Sequence, residues 1–317
     1  MKLITPSFEI WEQVYKPGSL ISNMWSHIAR CVRVCYQSES KKNPSESDEA
    51  FVKRVIFRHK PDNNEANHLS VLEHGTVYLK FDLTTNDSEV YGDAHFATSL
   101  PFSRYHLVSN VYYLTTNFRV LVENKATDLL KYVCHPIKHH DKRVTVSFIT
   151  NIGVTREFNR HRVNSISEES TRYCNYSLDR FDNSITCCSP VWIPSYSKEL
   201  SSKYSQERLD TFIKEYGTEN EHAWSDLDYY LFSLEVSNYC YNNLIIKGWS
   251  PQQAREVLPL ATKTQLVHTA YVSDWIHFFK LRAIGISGKP HPNAQLLAKP
   301  LMDAFIEQGI IKESDVK

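Results

Sequence analysis

The chain has 317 residues, of which 42% are hydrophobic, and it carries 36 Lys plus Arg against 36 Asp plus Glu, for a formal net charge of zero. This length and hydrophobic content are typical of a globular protein with a sizeable core, and they argue against intrinsic disorder. Because a domain that binds duplex nucleic acid normally carries a basic excess, the balanced charge argues against general nucleic-acid binding.

Other features of the composition narrow the class of protein. No apolar run approaches the ~18 residues of a membrane span, and residues 1–18 lack the apolar core of a signal peptide. Seven cysteines without framework spacing predict reduced thiols, so we expect a cytoplasmic protein with no membrane partner. The nine glycines form neither a G-x-G-x-x-G motif nor a P-loop, so side chains have to bind any nucleotide phosphate.

The first half of the chain alternates strand signals with polar connections. Residues 38–48 are rich in Ser, Lys and Glu and predict a loop, whereas the β-branched and aromatic residues of 76–81 predict a strand. Residues 84–105 have the composition of turns. The pattern of 111–124 fits a strand or the beginning of a helix, and both alternatives remain open at this point.

The second half begins with a strand that leads toward an arginine-rich segment. Residues 144–149 alternate apolar with polar side chains, as in a half-buried strand, and a short predicted helix after Gly153 leads to Arg160. Residues 178–200 predict an irregular connection with one short strand at 184–188. From about residue 203 onward the pattern is helical.

Two further helices are indicated by their boundary residues. Residues 229–247 keep apolar side chains at helical spacing, and Gly248 is the expected C-cap. Ser250 and Gln253 match a capping box at the start of the next helix. Pro259 is expected to limit that helix.

The last predicted helix begins with Ser273 or Asp274 as its N-cap and buries an apolar face that comprises Trp275, Phe278, Phe279 and Leu281. The chain shows no internal repeat and no clean linker. We therefore predict a single α+β domain over residues 1–317, with a central antiparallel or mixed sheet flanked by helices.

The segment 156–172 is the most distinctive part of the chain. It holds four arginines, where the chain-wide density of Lys plus Arg gives only ~2 in a window of that size. Guanidinium groups bind phosphate or carboxylate through two parallel hydrogen bonds, and the neighbouring Ser and Thr hydroxyls add further donors. The segment therefore predicts an anion site, with a solvated basic face as the alternative.

Three separate blocks resemble one protein family. In the arginine-rich segment, the signature of the flavin-dependent thymidylate synthases is matched by Arg160, His161, Arg162, Ser165, Glu168, Ser170, Arg172 and Tyr173. Residues 254–259 resemble the second conserved block of that family, and residues 277–282 resemble the third. Glu73 and His74 match the beginning of its N-terminal strand.

The resemblance implies a fold, a reaction and an assembly. The expected fold is that of the flavin-dependent thymidylate synthases, and the expected reaction is the reductive methylation of deoxyuridine monophosphate (dUMP) to thymidylate. FAD is the implied cofactor, methylenetetrahydrofolate the implied carbon donor and NADPH the implied reductant. The cofactor carries the redox chemistry in such an enzyme, and the protein supplies placement and electrostatics. A homotetramer with active sites between subunits is also implied.

The resemblance also assigns roles to individual residues. Flavin binding is assigned to His74, Arg160, His161, Arg162, Glu168 and His277. Binding of dUMP is assigned to Glu157, Ser170, Arg172, Arg255 and Arg282. Arg282 and Ser170 are the predicted catalytic residues, since Arg282 is expected to meet the uracil ring and Ser170 the phosphate. Glu168 either contacts a ligand or orients arginines, and both alternatives stay open.

The chain departs from the family pattern at several positions. Glu157 stands where many members have Gln, and an acid there would repel phosphate unless an arginine pairs with it. Ser167 replaces a frequent Asn or Ala, and Tyr271 and His277 replace asparagines that contact the flavin. Extra segments are expected near 84–110 and 195–225.

Parts of the sequence are also compatible with three other functions. A metal-dependent hydrolase is suggested by Cys134, His135, His139 and His140, although their spacing matches no strong zinc template, and we expect no metal. A nucleotide-binding regulator without turnover would keep the same pocket. A methyltransferase with a cysteine nucleophile would make the same product, but no cysteine lies in a motif for that role.

Overall fold

The computed structural model describes residues 1–13, 19–57, 68–85, 87–193 and 206–317. The strands are β1 (Lys2–Ile4), β2 (Ser7–Trp11), β3 (Thr76–Asp82), β4 (Arg104–Val108), β5 (Val111–Asn117), β6 (Arg143–Asn151), β7 (Ser165–Glu168), β8 (Thr186–Cys188) and β9 (Lys263–Tyr271). The α-helices are α1 (Leu20–Tyr36), α2 (Asp48–Ile56), α3 (Ser88–Thr98), α4 (Phe118–Glu123), α5 (Ile152–Phe158), α6 (Gln206–Glu215), α7 (Asp226–Ile246), α8 (Pro251–Ala254), α9 (Val272–Phe279), α10 (Pro292–Glu307) and α11 (Glu313–Val316).

A four-stranded sheet carries the arginine-rich segment. Its strand order is β2-β6-β9-β7, and every neighbouring pair is antiparallel. The register of β6 on β9 runs from Arg143 opposite Tyr271 to Asn151 opposite Lys263. The predicted strand at 144–149 is thus confirmed within β6, and so is the α+β class with a central antiparallel sheet. A separate parallel pair joins β1 to β8, which confirms the short strand expected at 184–188.

Helices cover one face of this sheet. α5, α9 and α10 pack on it through a buried aromatic cluster that comprises Phe148, Phe158, Trp275, Phe278, Phe279 and Phe305. On the other side, α1 places Cys31 and Val34 against Trp11 and Val267. Burial of large aromatic side chains dominates core energetics, so this cluster fixes the helices that carry the site residues.

A second, three-stranded antiparallel sheet has the order β3-β5-β4. Its strand β3 confirms the strand predicted at 76–81. The turn-rich prediction for 84–105 is wrong, because residues 88–98 form α3, which the Asp87 side chain caps by accepting from the Glu89 backbone N–H. The ambiguity at 111–124 is resolved into both elements, since β5 ends at Asn117 and that residue caps α4.

The C-terminal helices agree with the sequence in part. α7 begins three residues before the predicted position, because Ser225 and Asp228 form a capping box. It ends at Ile246, one residue earlier than predicted, so Lys247 and not Gly248 is its C-cap. The capping box of Ser250 and Gln253 is confirmed, but the α-helical part ends at Ala254 and continues as a 3₁₀ helix to Val257. The sequence predicts a helical pattern from residue 203. In the part of the chain that the structure describes, the helix begins at Gln206, and residues 203–205 lie outside the described ranges.

The predicted N-cap at Ser273 or Asp274 is wrong. β9 passes directly into α9, so Tyr271 is the N-cap and both residues lie in the first turn. Within the described ranges, no helix has the length and apolar character needed to cross a membrane.

Candidate active site

Arg160, His161 and Arg162 lie on a short turn after α5, and this turn directs the two arginines to the surface and the histidine to the interior. The Asn151 side chain caps α5 by accepting from the Val154 backbone N–H at 2.8 Å. Beyond the helix, the His161 N–H donates to the Phe158 carbonyl at 3.1 Å. This tight turn buries His161 and leaves Arg160 and Arg162 exposed. Neither arginine has a carboxylate partner among the described residues.

Arg282 is brought to the same turn by a change in helix type. After α9, residues Lys280–Ile284 form a π-helix, a feature that often occurs at functional sites. Arg282 donates to Glu157 Oε2 at 2.6 Å and to His161 Nε2 at 3.2 Å. The segment ends at Gly285, whose φ of +85° lies in the left-handed region. The structure therefore pairs Glu157 with an arginine, the condition under which an acid at this position is compatible with a phosphate.

The contact with Arg282 defines the state of His161. Because Nε2 accepts a hydrogen bond from Arg282, the ring proton must lie on Nδ1 in the neutral form. Burial, with a smaller contribution from the positive charge of Arg282, lowers the pKa of His161 from 6.5 to about 4. His161 is therefore neutral at physiological pH and serves as a fixed acceptor.

Six of the predicted site residues line one cleft. Its volume is about 860 Å³. The predicted residues that line it are Glu157, Arg160, His161, Arg162, His277 and Arg282. Val163 and Leu281 add apolar surface, and Lys289 adds a further positive charge. The cleft thus combines cationic donors with apolar walls, a combination suited to a ligand with a ring and phosphate groups.

Two hydroxyl groups of the motif, those of Ser165 and Ser167, face the interior of the protein. Ser165 Oγ accepts from the Arg143 guanidinium at 2.9 Å, and Ser167 Oγ contacts His74 Nε2 at 2.9 Å. Glu168 accepts from the side chains of Asn159 and Thr264 at 3.1 and 3.2 Å. Burial raises the pKa of Glu168. Because these acceptor contacts are with neutral groups, they do not orient an arginine.

His74 lies at the centre of a buried polar chain. Its Nδ1 contacts Thr269 Oγ1 at 2.8 Å, and Thr269 contacts Thr145 Oγ1 at 2.7 Å. Thr145 in turn contacts His27 Nε2 at 3.0 Å. Burial lowers the pKa of both histidines, so both stay neutral. Both ring nitrogens of His74 are hydrogen-bonded within the chain, which fixes its orientation.

A second group of predicted residues lies around α8. Arg172 is exposed, and its Nε donates to Gln252 Oε1 at 3.0 Å. Arg255 follows Gln252 on the same helical segment. Ser170 holds the motif against α1, since its backbone N–H donates to the Cys35 carbonyl at 3.0 Å. The described residues that line the 860 Å³ cleft do not include Ser170, Arg172 or Arg255.

Two arginines near the site were not predicted from the sequence. Arg104 lies with its guanidinium 3.8 Å from the centre of the Tyr271 ring and binds both carboxylate oxygens of Asp274 at 3.1 Å. Tyr271 in turn donates to the Thr115 carbonyl at 3.0 Å. Arg143 begins β6, where a sequence pattern shows only the flank of a strand. No sequence signal connects Arg104 to Tyr271.

The cluster behind the metal-hydrolase alternative does not form a metal site. His140 Nδ1 accepts from the Ile137 N–H at 3.2 Å, so Nε2 carries the proton and donates to the Leu79 carbonyl at 3.1 Å. Neither ring nitrogen then has a lone pair for a metal. Among the residues that the structure describes, no group of three or more His, Cys, Asp and Glu side chains could hold a metal ion.

Comparisons with known proteins show which family the sequence resembles. A family model described as Thymidylate synthase complementing protein matches residues 120–308. A probable flavin-dependent thymidylate synthase of Paramecium bursaria Chlorella virus 1 is 28% identical over 196 residues, or 59% of this chain and 79% of the relative. The flavin-dependent thymidylate synthase of Synechocystis sp. (strain ATCC 27184 / PCC 6803 / Kazusa) is 26% identical over 158 residues, which are 50% of this chain and 65% of that relative.

Two solved structures align over nearly the whole chain. One is Thymidylate Synthase X from Helicobacter pylori with FAD and dUMP, with 17% identity, coverage of 98% of this chain and 99% of that chain, and a TM-score of 0.38. The other is the UMP/dUMP methylase PolB from Streptomyces cacaoi bound with 5-Br dUMP. Its identity is 14%, the alignment covers 97% of this chain and 93% of that chain, and the TM-score is 0.38.

The match to residues 120–308 includes all three sequence blocks, and the chain belongs to the thymidylate synthase complementing protein family, that of the flavin-dependent thymidylate synthases. The resemblance seen in the sequence is thereby confirmed, and so is the prediction of an enzyme. His74 and the strands β3, β4 and β5 precede the matched region.

Proposed function

We propose that this protein converts dUMP to thymidylate by reductive methylation. Methylenetetrahydrofolate is the proposed carbon donor, and NADPH is the proposed source of the hydride that FAD carries. The observation that carries the proposal is the contact of Arg282 with both Glu157 and His161, at 2.6 and 3.2 Å. It joins the first and third motif blocks of the family in one cleft.

The residues of the cleft fit a flavin dinucleotide. Arg160 and Arg162 are exposed and have no carboxylate partner among the described residues, so both guanidinium groups can bind phosphate. Val163, Leu281 and the exposed ring of His277 offer surface for a planar ring system. When bound, the reduced flavin supplies the hydride. His74 and Glu168 complete the proposed flavin-binding set, and both are held at β7, His74 by its contact with Ser167 and Glu168 by the hydrogen bond from Asn159.

The substrate phosphate is assigned to Ser170, Arg172 and Arg255. Arg172 keeps a full charge without a carboxylate partner, which suits a dianionic phosphate. Arg282 is assigned to the pyrimidine ring. Glu157 and His161 hold its guanidinium in one orientation, and a fixed positive charge stabilises negative charge that develops on the ring. Because His161 is neutral, it orients Arg282 without adding a competing charge.

The two groups of residues support an active site shared between subunits. The cleft of Arg282 does not include Ser170, Arg172 or Arg255 within the described ranges. A neighbouring copy of the chain would supply the missing phosphate contacts, as in the homotetramer that we propose. The seven free thiols support a cytoplasmic location, where cysteines remain reduced.

Binding of the cofactor tests this proposal. Titration with FAD should quench flavin fluorescence in a saturable manner with the folded protein, and the bound protein should be yellow. A matched titration of the double variant Arg160→Gln/Arg162→Gln should show weaker binding by at least tenfold, because two charged contacts are lost. A folded protein that does not bind FAD at saturating concentrations would refute the proposed function.

A further inference from the structure

A buried histidine in β9 bonds to both ends of the exposed turn that follows α5. We call residues 159–164, which include the two exposed arginines of the motif, the arginine turn. His268 lies between β6 and β7 in the four-stranded sheet, and the residue is 0% exposed. Its Nε2 lies 3.3 Å from Asn159 Oδ1, and its Nδ1 lies 3.1 Å from Asn164 Nδ2. One imidazole ring therefore spans the first and the last residue of the arginine turn.

The hydrogen bonds around His268 have one consistent direction. Glu168 accepts from Asn159 Nδ2 at 3.1 Å and from the Thr264 hydroxyl at 3.2 Å. Because Asn159 turns its amide N–H toward this carboxylate, its Oδ1 faces His268 and has to accept from the Nε2–H of the ring. Nδ1 then carries the lone pair and accepts from Asn164 Nδ2. Both contacts are thus hydrogen bonds of one neutral tautomer.

Packing and burial keep the ring of His268 in this state. The rings of Phe148 and Trp275 lie 6.2 and 6.3 Å from it, centre to centre. Burial lowers the pKa of His268 to about 3, so the ring keeps one donor and one acceptor at physiological pH. A phenylalanine would fill about the same volume, but it would leave the amides of Asn159 and Asn164 without this partner.

The bonds to His268 differ from the local bonds of the arginine turn. The His161 N–H donates to the Phe158 carbonyl, and the Asn164 N–H donates to the His161 carbonyl, both at 3.1 Å. Such local bonds define the shape of the turn, but they do not fix its position relative to the sheet. The two side-chain bonds to His268 attach both ends of the turn to β9, an interior strand of the sheet.

We propose that His268 is a positioning residue, which holds the arginine turn in the geometry in which Arg160 and Arg162 bind the phosphate groups of the cofactor. A turn that was attached at one end alone would lose conformational freedom on binding a ligand, and this loss reduces affinity. The bonds of His268 make the loss smaller, because the turn is already ordered before the ligand binds. This role rests on the proposed function, since it takes the two arginines as groups that bind FAD.

Three substitutions of His268 test this role through the affinity for FAD. His268→Phe removes both hydrogen bonds and should weaken FAD binding roughly tenfold. His268→Asn keeps an acceptor near the position of Nδ1, and His268→Gln keeps a donor near the position of Nε2, so each should weaken FAD binding only about threefold. If the ring only filled volume, the opposite order would be expected, because Phe preserves the packing and the two amides do not.

A double-mutant cycle shows whether His268 acts through the arginines. In the Arg160→Gln/Arg162→Gln protein, His268→Phe should weaken FAD binding by less than about twofold further, because the groups that it positions are gone. A further loss of about tenfold in this background would mean that His268 acts on the cofactor by another route, and it would overturn the role.

Hydrogen exchange of the protein without ligand tests the same contacts independently of FAD. The amides of residues 159–164 should exchange roughly tenfold faster in His268→Phe than in the unmodified protein, whereas the amides of β2 should keep their rates. His140→Phe is the matched control. His140 is also buried, and it bonds to the Ile137 N–H and the Leu79 carbonyl in another part of the fold. Its loss should change neither the exchange of the arginine turn nor the affinity for FAD.

Asn164→Ala keeps the test valid if His268→Phe does not fold. It removes one of the two bonds from the side of the turn and should weaken FAD binding about threefold. Unchanged exchange of residues 159–164, or unchanged FAD affinity, in both variants would overturn the role. If the unmodified protein does not bind FAD, the proposed function fails, and the exchange experiment alone then decides whether His268 holds the turn.

Discussion

Arg282 donates to Glu157 at 2.6 Å across 125 residues of sequence, and the same guanidinium donates to His161 at 3.2 Å. The side chain of Arg282 is 14% exposed and that of Glu157 is 33% exposed, so the pair lies at the edge of the cleft and is only partly screened by water. The negative charge of Glu157 therefore offsets the charge that Arg282 presents to a ligand.

Glu157→Gln should tighten dUMP binding. Removal of the carboxylate leaves the positive charge of Arg282 uncompensated beside an anionic ligand, and at the effective dielectric of a protein surface this is worth about 1 kcal/mol, or roughly fivefold in affinity. FAD affinity should change less. Calorimetry with dUMP gives the result, with Glu307→Gln on the exposed end of α10 as the control. Weaker dUMP binding would mean that Glu157 itself contacts the substrate.

Arg172→Ala should weaken dUMP binding by roughly tenfold to a hundredfold, or about 1.5–3 kcal/mol, because one charged phosphate contact is lost. The side chain is exposed, and among the described residues it donates to the neutral amide of Gln252 and lies 5.5 Å from the centre of the Tyr173 ring, so the fold should tolerate the change. FAD binding, measured in parallel, should remain. Unchanged dUMP affinity would place the substrate phosphate elsewhere.

Cys174→Ala should keep most of its turnover. Cys174 is fully buried, and burial together with the negative charge of Glu169 raises the pKa of its thiol to about 12. A catalytic cysteine needs an accessible, electropositive site that lowers the thiol pKa, and this site does the opposite. A drop in turnover of several orders of magnitude, with fold and FAD binding intact, would revive a cysteine nucleophile.

Acid should destabilise the protein through His161. Its pKa is about 4 when folded, against 6.5 for the unfolded value, so the unfolded state binds more protons between these values. The free energy of unfolding contributed by this neutral histidine is present above pH 6.5 and falls as the pH drops toward 4. Urea unfolding at a series of pH values should show a smaller slope for His161→Asn. An identical slope in both proteins would contradict the assignment.

Gly285→Ala should destabilise the segment that carries Arg282. A Cβ at this position would lie 2.6 Å from the Gly288 carbonyl oxygen and 2.6 Å from Pro290 Cδ, on a backbone with φ of +85°. Gly248 is the matched control, since its φ is +93° but a Cβ there meets nothing within 4 Å. Both variants should lose about 1 kcal/mol from the positive φ, and Gly285→Ala should lose more. Equal losses in urea unfolding would show that the contact is relieved.

The sequence predicted the elements whose signals are local. The alternation of 144–149 identified β6, and Ser250 with Gln253 identified the start of α8. α3 was missed because its apolar residues form no continuous stripe, and only Ala94 and Ala97 are buried in it. The N-cap of α9 was misplaced because β9 runs into the helix without a connecting residue.

Residues of the candidate site could be named from the sequence where the motif blocks supply them, and could not where only tertiary contacts bring residues together. The cleft around Arg282 unites residues of the first and third blocks, which the family pattern already names. Arg104 reaches Tyr271 and Asp274 from a different sheet, and such a contact depends on how two sheets pack rather than on a local pattern. The hydrogen bonds of His74 to Thr269 and Ser167 could not be predicted for the same reason, since they also depend on tertiary packing.

The most direct test of the central claim is the formation of thymidylate from dUMP. The purified protein should produce thymidylate when it is supplied with dUMP, methylenetetrahydrofolate, NADPH and FAD, and product analysis by chromatography should show a strong decrease when any one of the four is omitted. Arg282→Ala should abolish formation while FAD stays bound. A folded protein that binds FAD and dUMP but forms no thymidylate under these conditions would contradict the proposed function and favour a nucleotide-binding regulator.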